Sequence, residues 1–596
     1  MNFDDVRSVE RPTPDETVRL EWGSDVIAEV LRRLGIEFIA LNPGSSYRHL
    51  HDSLVNYLGN RSPQMLMVLH EEHAIAIAHG YAKVTGKPMA AAVHSNVGLM
   101  HATMAIYNAW CDRAPVMVLG ANGPVDAPRR RPWIDWIHTT RDQAALIRNF
   151  LKWDDEPVSP AAAVESVLRA WQLARQSPSG PVYVCFSVEV QEAKLGGEIT
   201  LPDPARYQPG TTPAPSSDSL AQVAEPLVKA RRPVILVGRG SRRQDDWDNR
   251  IRLAELLNAK VLTDIKAGAA FPTGHPLHIC PPGLSISRSA IEAIAEADLI
   301  LSLGWIDLAG TLKIAFQDRP IPKVIQVSND SYNHRGWAAD YMSLPPADAS
   351  ILCEPDTMLA PLCEAVSNLT KRIFESNWTP RPGGAGIVRT SQFQVDGRSD
   401  EPIAVSDIAR SLGRILGDRE ISLLRVPLGW SNDYYDYTGP LDYIGYDGGA
   451  GIGSGPGMTF GAALALRDSG YLPIAVVGDG DYLMGVTALW TAAKYRIPFL
   501  MIVANNQSFY NDEVHQENVA RQRGRLPENK WIGQKIIEPA VDLATMARGQ
   551  GVEGIGPISR IGDLSKALER AVRTVEAGTA CVVDVVVKPG YESKVA

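Results

Sequence analysis

Short apolar runs alternate with amphipathic stretches along the chain. In the N-terminal part the apolar runs cover residues 36–41, 65–69, 89–94 and 116–121. Before the first run, apolar side chains recur at helical spacing at Val26, Ile27, Val30, Leu31 and Leu34. Ser24 or Asp25 can cap this helix, and Gly35 can end it. Because buried parallel strands give runs of this length, the pattern predicts strands separated by helices.

Two polar segments rich in turn-forming residues divide the pattern into three units. The first segment, residues 199–219, is rich in Pro, Thr and Ser, and the second covers residues 377–402. Further apolar runs lie at 231–238, 259–264, 297–304 and 323–328, and then at 421–426, 472–480, 499–506 and 581–587. We therefore expect an α/β protein of three doubly wound parallel-sheet domains, at residues 18–200, 217–372 and 400–590.

Composition excludes several classes of function. The 596 residues carry a formal net charge of −9, which argues against non-specific nucleic-acid binding. The chain has no run of roughly eighteen apolar residues, so no membrane span is expected. The polar, acidic N-terminus lacks the apolar segment of a signal peptide. None of the six cysteines forms a CxxC pair, so neither a zinc site nor a disulfide framework is expected. We therefore expect a cytoplasmic protein that binds neither nucleic acid nor membrane.

The third unit carries the strongest chemical signal. One apolar run leads into Gly478, Asp479 and Gly480, and the next ends at Asn506 and Ser508, with 27 positions between Asp479 and Asn506. Ligands of open α/β sheets bind at the carboxyl ends of such strands. A carboxylate from Asp479, an amide oxygen from Asn506 and the backbone carbonyl of Ser508 are hard ligands of the kind that Mg²⁺ prefers.

The same segment also suits a diphosphate. Gly478 and Gly480 let the backbone approach phosphate oxygens, and a helix starting near Asp481 would direct N–H groups and its positive end at the anion. The alternative is a glycine turn and an unrelated pair of asparagines. The placement of both clusters after strands favours the metal and phosphate site.

A Gly-Asp-Gly triplet followed at this distance by Asn-Asn resembles the motif of thiamine diphosphate enzymes. The order of the three units is similar to that of the pyruvate decarboxylase and acetolactate synthase superfamily, from about Glu21 to about Pro589. The resemblance implies a pyrimidine-binding, a central and a diphosphate-binding domain, with thiamine diphosphate and Mg²⁺ as cofactors. It further implies a homodimer or homotetramer whose active sites lie between subunits.

The resemblance also implies an activating glutamate. The segment 69–83 resembles the family's glutamate helix, in which the glutamate lies nine positions before the glycine of a Gly-Tyr-Ala triplet. That glycine is Gly80, so the resemblance selects Glu71 over Glu72 as a catalytic and cofactor-binding residue. Its carboxyl group would drive the aminopyrimidine to its imino form in a dry pocket. The alternative for both glutamates is a solvated helix start.

Other segments look most like benzoylformate decarboxylase and its relatives. Residues 41–46 resemble that family's first active-site loop, which places Ser45 at the substrate-contacting serine. Residues 93–98 resemble the strand end with its catalytic histidine, which maps onto His94. His94 would shuttle protons to and from the covalent adduct, and the alternative is a structural histidine.

Three departures from that family stand out. The second active-site histidine expected after residues 299–304 is replaced by Trp305-Ile306-Asp307. The bulky residue that bends the cofactor would fall at Pro456, which with Ser454 and Gly455 is expected to contact the cofactor. The loop after the metal site is polar, and His515 stands about where the family has a substrate-facing aromatic residue. His515 is therefore a candidate catalytic residue, with a solvated helix face as the alternative.

The expected reaction is non-oxidative decarboxylation of a small 2-oxo acid. The alternative is a carboligase or lyase of the acetolactate synthase or 2-hydroxyacyl-CoA lyase type, acting on a 2-oxo acid or acyl substrate. Residues 238–241 follow a predicted strand but lack the full GxGxxG pattern, which disfavours a nucleotide or flavin there. A relative that has lost catalysis is disfavoured because Glu71, Asp479 and Asn506 are all present.

Overall fold

Three parallel sheets form the framework of the protein. The computed structural model describes residues 6–197, 199–280, 282–283, 286–330, 344–370, 400–430 and 435–590. The first sheet has the order β2-β1-β3-β4-β6-β5. Its strands are β1 (Phe38–Leu41), β2 (Gln64–Met67), β3 (Met89–Ala92), β4 (Val116–Asn122), β5 (Trp153–Asp155) and β6 (Val182–Ser187). All of its strand pairs are parallel.

The second and third sheets have five strands each, again paired in parallel. The second, in the order β11-β10-β9-β7-β8, contains β7 (Pro233–Val237), β8 (Lys260–Thr263), β9 (Leu299–Leu303), β10 (Lys323–Val327) and β11 (Ala349–Ile351). The third, in the order β12-β13-β14-β16-β15, contains β12 (Ile421–Arg425), β13 (Leu472–Gly478), β14 (Leu500–Asn505), β15 (Glu553–Ile558) and β16 (Cys581–Val586).

Helices connect the strands of each sheet. Around the first sheet lie α1 (Gly23–Arg33), α2 (Arg48–Asp52), α3 (Glu71–Thr85), α4 (Ser95–Cys111), α5 (Ile134–Ile137), α6 (Pro160–Arg175) and α7 (Val188–Glu192). Around the second lie α8 (Ser217–Lys229), α9 (Gln244–Leu257), α10 (Arg288–Glu296), α11 (Leu308–Phe316) and α12 (Pro355–Thr370). Around the third lie α13 (Val405–Leu416), α14 (Gly455–Leu466), α15 (Asp479–Gly485), α16 (Ala488–Tyr495), α17 (Tyr510–Gln522), α18 (Leu543–Gly549) and α19 (Ile561–Glu576).

Both faces of each sheet are packed. In β1, Phe38 and Ala40 belong to one hydrophobic cluster, whereas Ile39 and Leu41 belong to another. The same alternation occurs in β7 and in β13, where successive residues enter different clusters. Since successive side chains of a strand point to opposite faces, each sheet is covered on both sides. The predicted class, α/β with three doubly wound parallel-sheet domains, is confirmed.

The domain limits stay predictions. Residues 199–216 of the first proposed linker contain only a short 3₁₀ turn, Pro204–Tyr207, before α8 begins at Ser217. Most of the second proposed linker, and the proposed end of the central domain at residue 372, lie outside the described residues.

The first helix begins earlier than its sequence pattern predicts. Trp22 is the N-cap residue, and Gly23, Ser24 and Asp25 are already helical. Asp25 still satisfies the free N–H groups at this end, because its Oδ2 accepts hydrogen bonds from the backbone of Glu21 at 3.0 Å and of Trp22 at 2.9 Å. The predicted end is confirmed, since the helix stops before Gly35, which has a φ of +73°.

The first and third domains share one hydrophobic cluster, which includes side chains of α3 and α14. All six cysteines are free thiols. Among the described helices, none is both long and apolar enough to span a bilayer.

Candidate active site

A cavity of about 650 Å³ opens at the carboxyl end of the third sheet. Gly478, Asp479 and Gly480 line it from the end of β13, and Asn506 and Ser508 line it from the end of β14. The two strands are parallel neighbours, so their ends meet at one edge of the sheet. The structure therefore brings together the five residues that the sequence proposes for metal and diphosphate.

The polar groups at this edge share one backbone N–H. Ser508 donates its N–H to Asp479 Oδ2 at 3.2 Å and to Asn506 Oδ1 at 3.0 Å. The other oxygen of Asp479 accepts the N–H of Gly480 at 2.9 Å. The Asp479 carboxylate and the Asn506 amide oxygen therefore lie close together at this edge of the sheet. The hydroxyl of Ser508 instead donates to the Glu513 carboxylate.

The electrostatics of Asp479 favour a cation. Asp479 is only 4% exposed. Burial raises the pKa of its carboxyl group to about 6, although hydrogen bonds from backbone N–H groups oppose this shift. Among the described residues no Lys, Arg or His forms an ion pair with it. A buried carboxylate without a counter-charge is costly, and a divalent cation removes that cost. With an amide and a backbone carbonyl nearby, these groups fit a hard metal such as Mg²⁺.

Asp481, a predicted cofactor-binding residue, also makes contacts within the protein. The helix starts at Asp479, and the Oδ1 of Asp481 accepts the N–H groups of Gly453 at 2.7 Å and Gly455 at 3.1 Å. Its Oδ2 forms an ion pair with Arg425 at 2.7 Å. Asp481 lines the cavity, but its oxygens already hold the glycine-rich loop and a buried guanidinium.

Ser454, Gly455 and Pro456 are the residues of this run that are expected to contact the cofactor. All three are buried at the start of α14, and none is among the residues that line the cavity. The ring of Pro456 packs against Gly485, where an added Cβ would lie 2.7 Å from the proline Cδ. In their place Ile452, which is 37% exposed, and Ala450 line the cavity. Ile452 is the one large apolar residue in the run from Gly448 to Gly457, and this signal could have identified it from the sequence.

Glu71 is the first residue of α3 and is 7% exposed. Its Oε2 bonds to His101 Nδ1 at 3.0 Å, and an added Cβ at Gly98 would lie 2.9 Å from its Oε1. Glu72 is half-buried, and burial followed by the charge of Asp481 raises its pKa. The two glutamates therefore have different surroundings, since Glu71 bonds to His101 whereas Glu72 lies within the electrostatic influence of Asp481.

His94 follows β3 and is the N-cap residue of α4. Its Nδ1 bonds to the hydroxyl of Ser46 at 2.9 Å, and Ser46 is buried. Ser45, the serine chosen from the sequence, is exposed. Adjacent residues in a short 3₁₀ turn point in different directions, so Ser46 faces His94 while Ser45 is exposed. Substrate contact by Ser45 stays a prediction.

His515 lies in α17 and is exposed. It is not among the residues that line the cavity. A solvated helix face describes its position in the single chain.

The candidate groups form two separate sets in one chain. Glu71 and His94 belong to the first domain, and neither lines the cavity that contains Asp479. Sequence reasoning also missed three cations on the cavity wall, Arg239, Lys266 and Arg425. Arg425 ends the apolar strand β12, and a cation at such a strand end is a signal that the sequence does offer.

Comparison with protein families agrees with this geometry. Residues 21–146 match the N-terminal TPP binding domain of thiamine pyrophosphate enzymes, residues 220–344 match their central domain, and residues 427–585 match their C-terminal TPP binding domain. The three matches follow the order of the three sheets.

Individual relatives extend over nearly the whole chain. A benzoylformate decarboxylase of Pseudomonas aeruginosa is 25% identical over 91% of this chain and 95% of its own length. A probable acetolactate synthase large subunit of Methanocaldococcus jannaschii is 22% identical over 95% of this chain and 92% of its own. The solved structure of a thiamine diphosphate-dependent 4-hydroxybenzoylformate decarboxylase of Rhodococcus jostii has the same fold, with a TM-score of 0.74 at 21% identity over 96% of this chain and all of that one.

Fold, domain order and sequence matches lead to the same conclusion. This chain belongs to the thiamine pyrophosphate-dependent enzymes.

Proposed function

We propose that this enzyme binds thiamine diphosphate with Mg²⁺ and catalyses the non-oxidative decarboxylation of a 2-oxo acid. The observation that carries the proposal is the buried, uncompensated carboxylate of Asp479 beside Asn506 and Ser508, at the ends of neighbouring strands. The names of the Pseudomonas relative and of the Rhodococcus structure, both benzoylformate decarboxylases, support the choice of reaction.

The cavity supplies the groups that would hold the metal and the diphosphate. Asp479, Asn506 and the carbonyl of Ser508 would bind Mg²⁺. Arg239 and Lys266 would offset the charge of the diphosphate, which glycines 478 and 480 allow to approach the backbone. Arg425 is instead paired with Asp447 and Asp481. Ile452 would support the bent shape of the cofactor in place of Pro456.

The first domain supplies the proton-transfer groups. When bound, thiamine diphosphate supplies a carbanion and electron sink at its thiazolium carbon. Glu71 would exchange a proton with the ring nitrogen of the aminopyrimidine, and its burial excludes water from that bond. Because the Nδ1 of His94 is bonded to Ser46, its Nε2 remains to move a proton to and from the substrate. Ser45 and His515 stay candidates for substrate contact in the assembled enzyme.

We propose a homodimer or homotetramer in which Glu71 of one subunit meets Asp479 of another. The absence of Glu71 from the cavity around Asp479 in the single chain supports this arrangement.

We propose the cytoplasm as the location of this protein. Its six free thiols accord with the reducing conditions there.

The test is to saturate the protein with thiamine diphosphate and Mg²⁺ and supply a panel of 2-oxo acids that includes benzoylformate. We expect equimolar CO₂ and aldehyde from at least one acid, and a melting temperature that rises with cofactor. Cofactor binding without CO₂ from any acid would contradict the decarboxylase assignment, and an unmoved melting temperature would contradict the cofactor itself.

A second candidate is a carboligase or lyase of the acetolactate synthase or 2-hydroxyacyl-CoA lyase type. The acetolactate synthase of M. jannaschii, which matches this chain as fully as the decarboxylase does, favours it. Incubations with 2-oxo acids and, separately, with a 2-hydroxyacyl-CoA ester distinguish the two. A ligase gives a new carbon–carbon product from 2-oxo acids in place of free aldehyde, and a lyase cleaves the CoA ester.

A further inference from the structure

A second imidazole lies against His94 within the first domain. The rings of His94 and His138 meet edge to face, with their centroids 4.7 Å apart and their planes at 81°. On its other side the His94 ring packs on Gly44, where an added Cβ would lie 2.5 Å from the histidine Cβ. With the Ser46 hydroxyl at 2.9 Å from Nδ1, His94 is thus held from three directions.

Two side chains fix His138 to the residues directly after His94. The hydroxyl of Ser95 donates to the carbonyl of His138, and Asn96 Nδ2 donates to the carbonyl of Ile137 at 3.1 Å. Ser95 has a φ of +47°, a left-handed conformation that is uncommon for serine. Such conformations persist where the surrounding structure over-determines them, and they concentrate at functional sites.

We propose that His138 is a positioning residue for His94, and that Ser46 and His138 together fix the orientation and the protonation of the His94 imidazole. Its catalytic consequence rests on the decarboxylation proposed above. The geometry thus pairs His94 with a second imidazole within the first domain.

The groups around His94 change the pKa of its imidazole. Burial lowers the pKa of His94, the neighbouring His138 lowers it further, and Glu71 from α3 opposes both. A neutral imidazole at neutral pH can accept a proton and return it. Removing the second imidazole therefore leaves His94 more readily protonated, which is the wrong form for a base.

The first test uses the cofactor-free chain, with histidine isotope labels assigned through His94→Gln. NMR titration follows the pKa of His94 in the wild type and in His138→Phe, and nitrogen shifts report its tautomer in Ser46→Ala. We expect His138→Phe to move the pKa of His94 upward and Ser46→Ala to change the tautomer ratio. His51→Gln, which removes a histidine of α2 without contact to His94, should change neither.

An unmoved His94 titration in His138→Phe would overturn the proposal, as would an equal movement in His51→Gln. His138→Asn is measured in parallel, because it disturbs the packing of the segment less than Phe does, and it should give the same upward movement.

The second test is the pH profile of the holoenzyme with an accepted 2-oxo acid. In His138→Phe the acidic limb of the kcat profile should move to higher pH, because the pKa of the general base has risen while the base itself is still present. Below neutral pH we expect kcat to be about tenfold lower and KM to change little. A limb that stays in place would overturn the catalytic consequence. The wild type could release no CO₂ while His138→Phe still raises the pKa of His94. In that case the proposed reaction is wrong, and the positioning of His94 by His138 stands.

Discussion

Folding buries the carboxyl group of Asp479, and no Lys, Arg or His within the described part of the chain forms an ion pair with it. Because burial raises its pKa from 3.8 to about 6, the folded protein binds this proton more tightly than the unfolded chain does. The resulting stability is present below about pH 4 and is lost as the pH rises to about 6. At neutral pH the ionised group therefore destabilises the cofactor-free protein, by an amount on the order of 2 kcal/mol.

We predict that Asp479→Asn makes the cofactor-free protein more stable at pH 7, by about 1–2 kcal/mol, since it removes a buried charge. The same change should abolish the rise in melting temperature that Mg²⁺ and thiamine diphosphate give the wild type. Denaturant unfolding and thermal melts measure the two effects.

Asp584→Asn is the matched control, because burial raises the pKa of Asp584 to about 6 as well, and it is bonded to Asn505 outside the cavity. This control should keep the response to cofactor. A full cofactor response in Asp479→Asn would place the metal elsewhere.

Glu71 and Glu72 are adjacent in sequence, but their side chains have different surroundings and different proposed roles. We predict that Glu71→Gln folds and binds cofactor but slows deuterium exchange at the thiazolium carbon by about 10²-fold or more, because general acid–base assistance is lost. Glu72→Gln should exchange at nearly the wild-type rate. Equal rates in the two variants would return Glu71 to a structural role.

Helices α3 and α14 approach each other through glycines. An added Cβ at Gly80 would lie 2.2 Å from the carbonyl oxygen of Met458, and one at Gly461 would lie 1.9 Å from that of Ile77. Each glycine therefore lets the backbone of the other helix come close. Because α14 begins directly after the loop that carries Ile452, this contact ties the first domain to the wall of the cavity.

We predict that Gly80→Ala and Gly461→Ala each lower the free energy of unfolding by about 1–3 kcal/mol or more, because the helices must separate. Gly549→Ala is the control, since Gly549 is exposed at the end of α18 and an added Cβ meets no atom within 4 Å. That variant should be neutral or more stable by up to about 1 kcal/mol. Denaturant unfolding measures all three, and equal effects would contradict the close helix contact.

Central strands were easier to predict than edge strands. Apolar runs predicted β1, β3, β4 and β13, which are buried on both faces. The edge strands β5, β11 and β15 were missed, as was the central strand β6, although the edge strands β2, β8 and β12 were predicted. An edge strand is half solvated, so its residues need not be apolar. β5, which reads Trp-Asp-Asp and is only half-buried, shows the reason.

In the single chain, Glu71 does not line the cavity that contains Asp479. We predict that a 1:1 mixture of Glu71→Gln and Asp479→Asn subunits, exchanged by mild denaturation and refolding, regains about a quarter of the wild-type activity. Half of the dimers would then be mixed, and each would contain one site with both residues intact, as expected for an interface shared by two identical subunits. Decarboxylation assays before and after exchange measure the recovery.

Each variant refolded alone is the control and should stay inactive. No recovery in the mixture would mean that Glu71 and Asp479 act within one chain, which would contradict the proposed assembly.

The sequence by itself determined the three α/β units and the convergence of Asp479 with Asn506. Strand periodicity is local, and consecutive parallel strands bring their carboxyl ends to one edge, so both follow from spacing alone. Only the tertiary structure decided that Ser46 bonds to His94, and that Asp481 holds a loop. It likewise decided that Ile452 rather than Pro456 reaches the cavity. These choices depend on the direction of single side chains and on partners far away in the chain, such as Arg425 for Asp481 and His138 for His94, and sequence spacing contains neither.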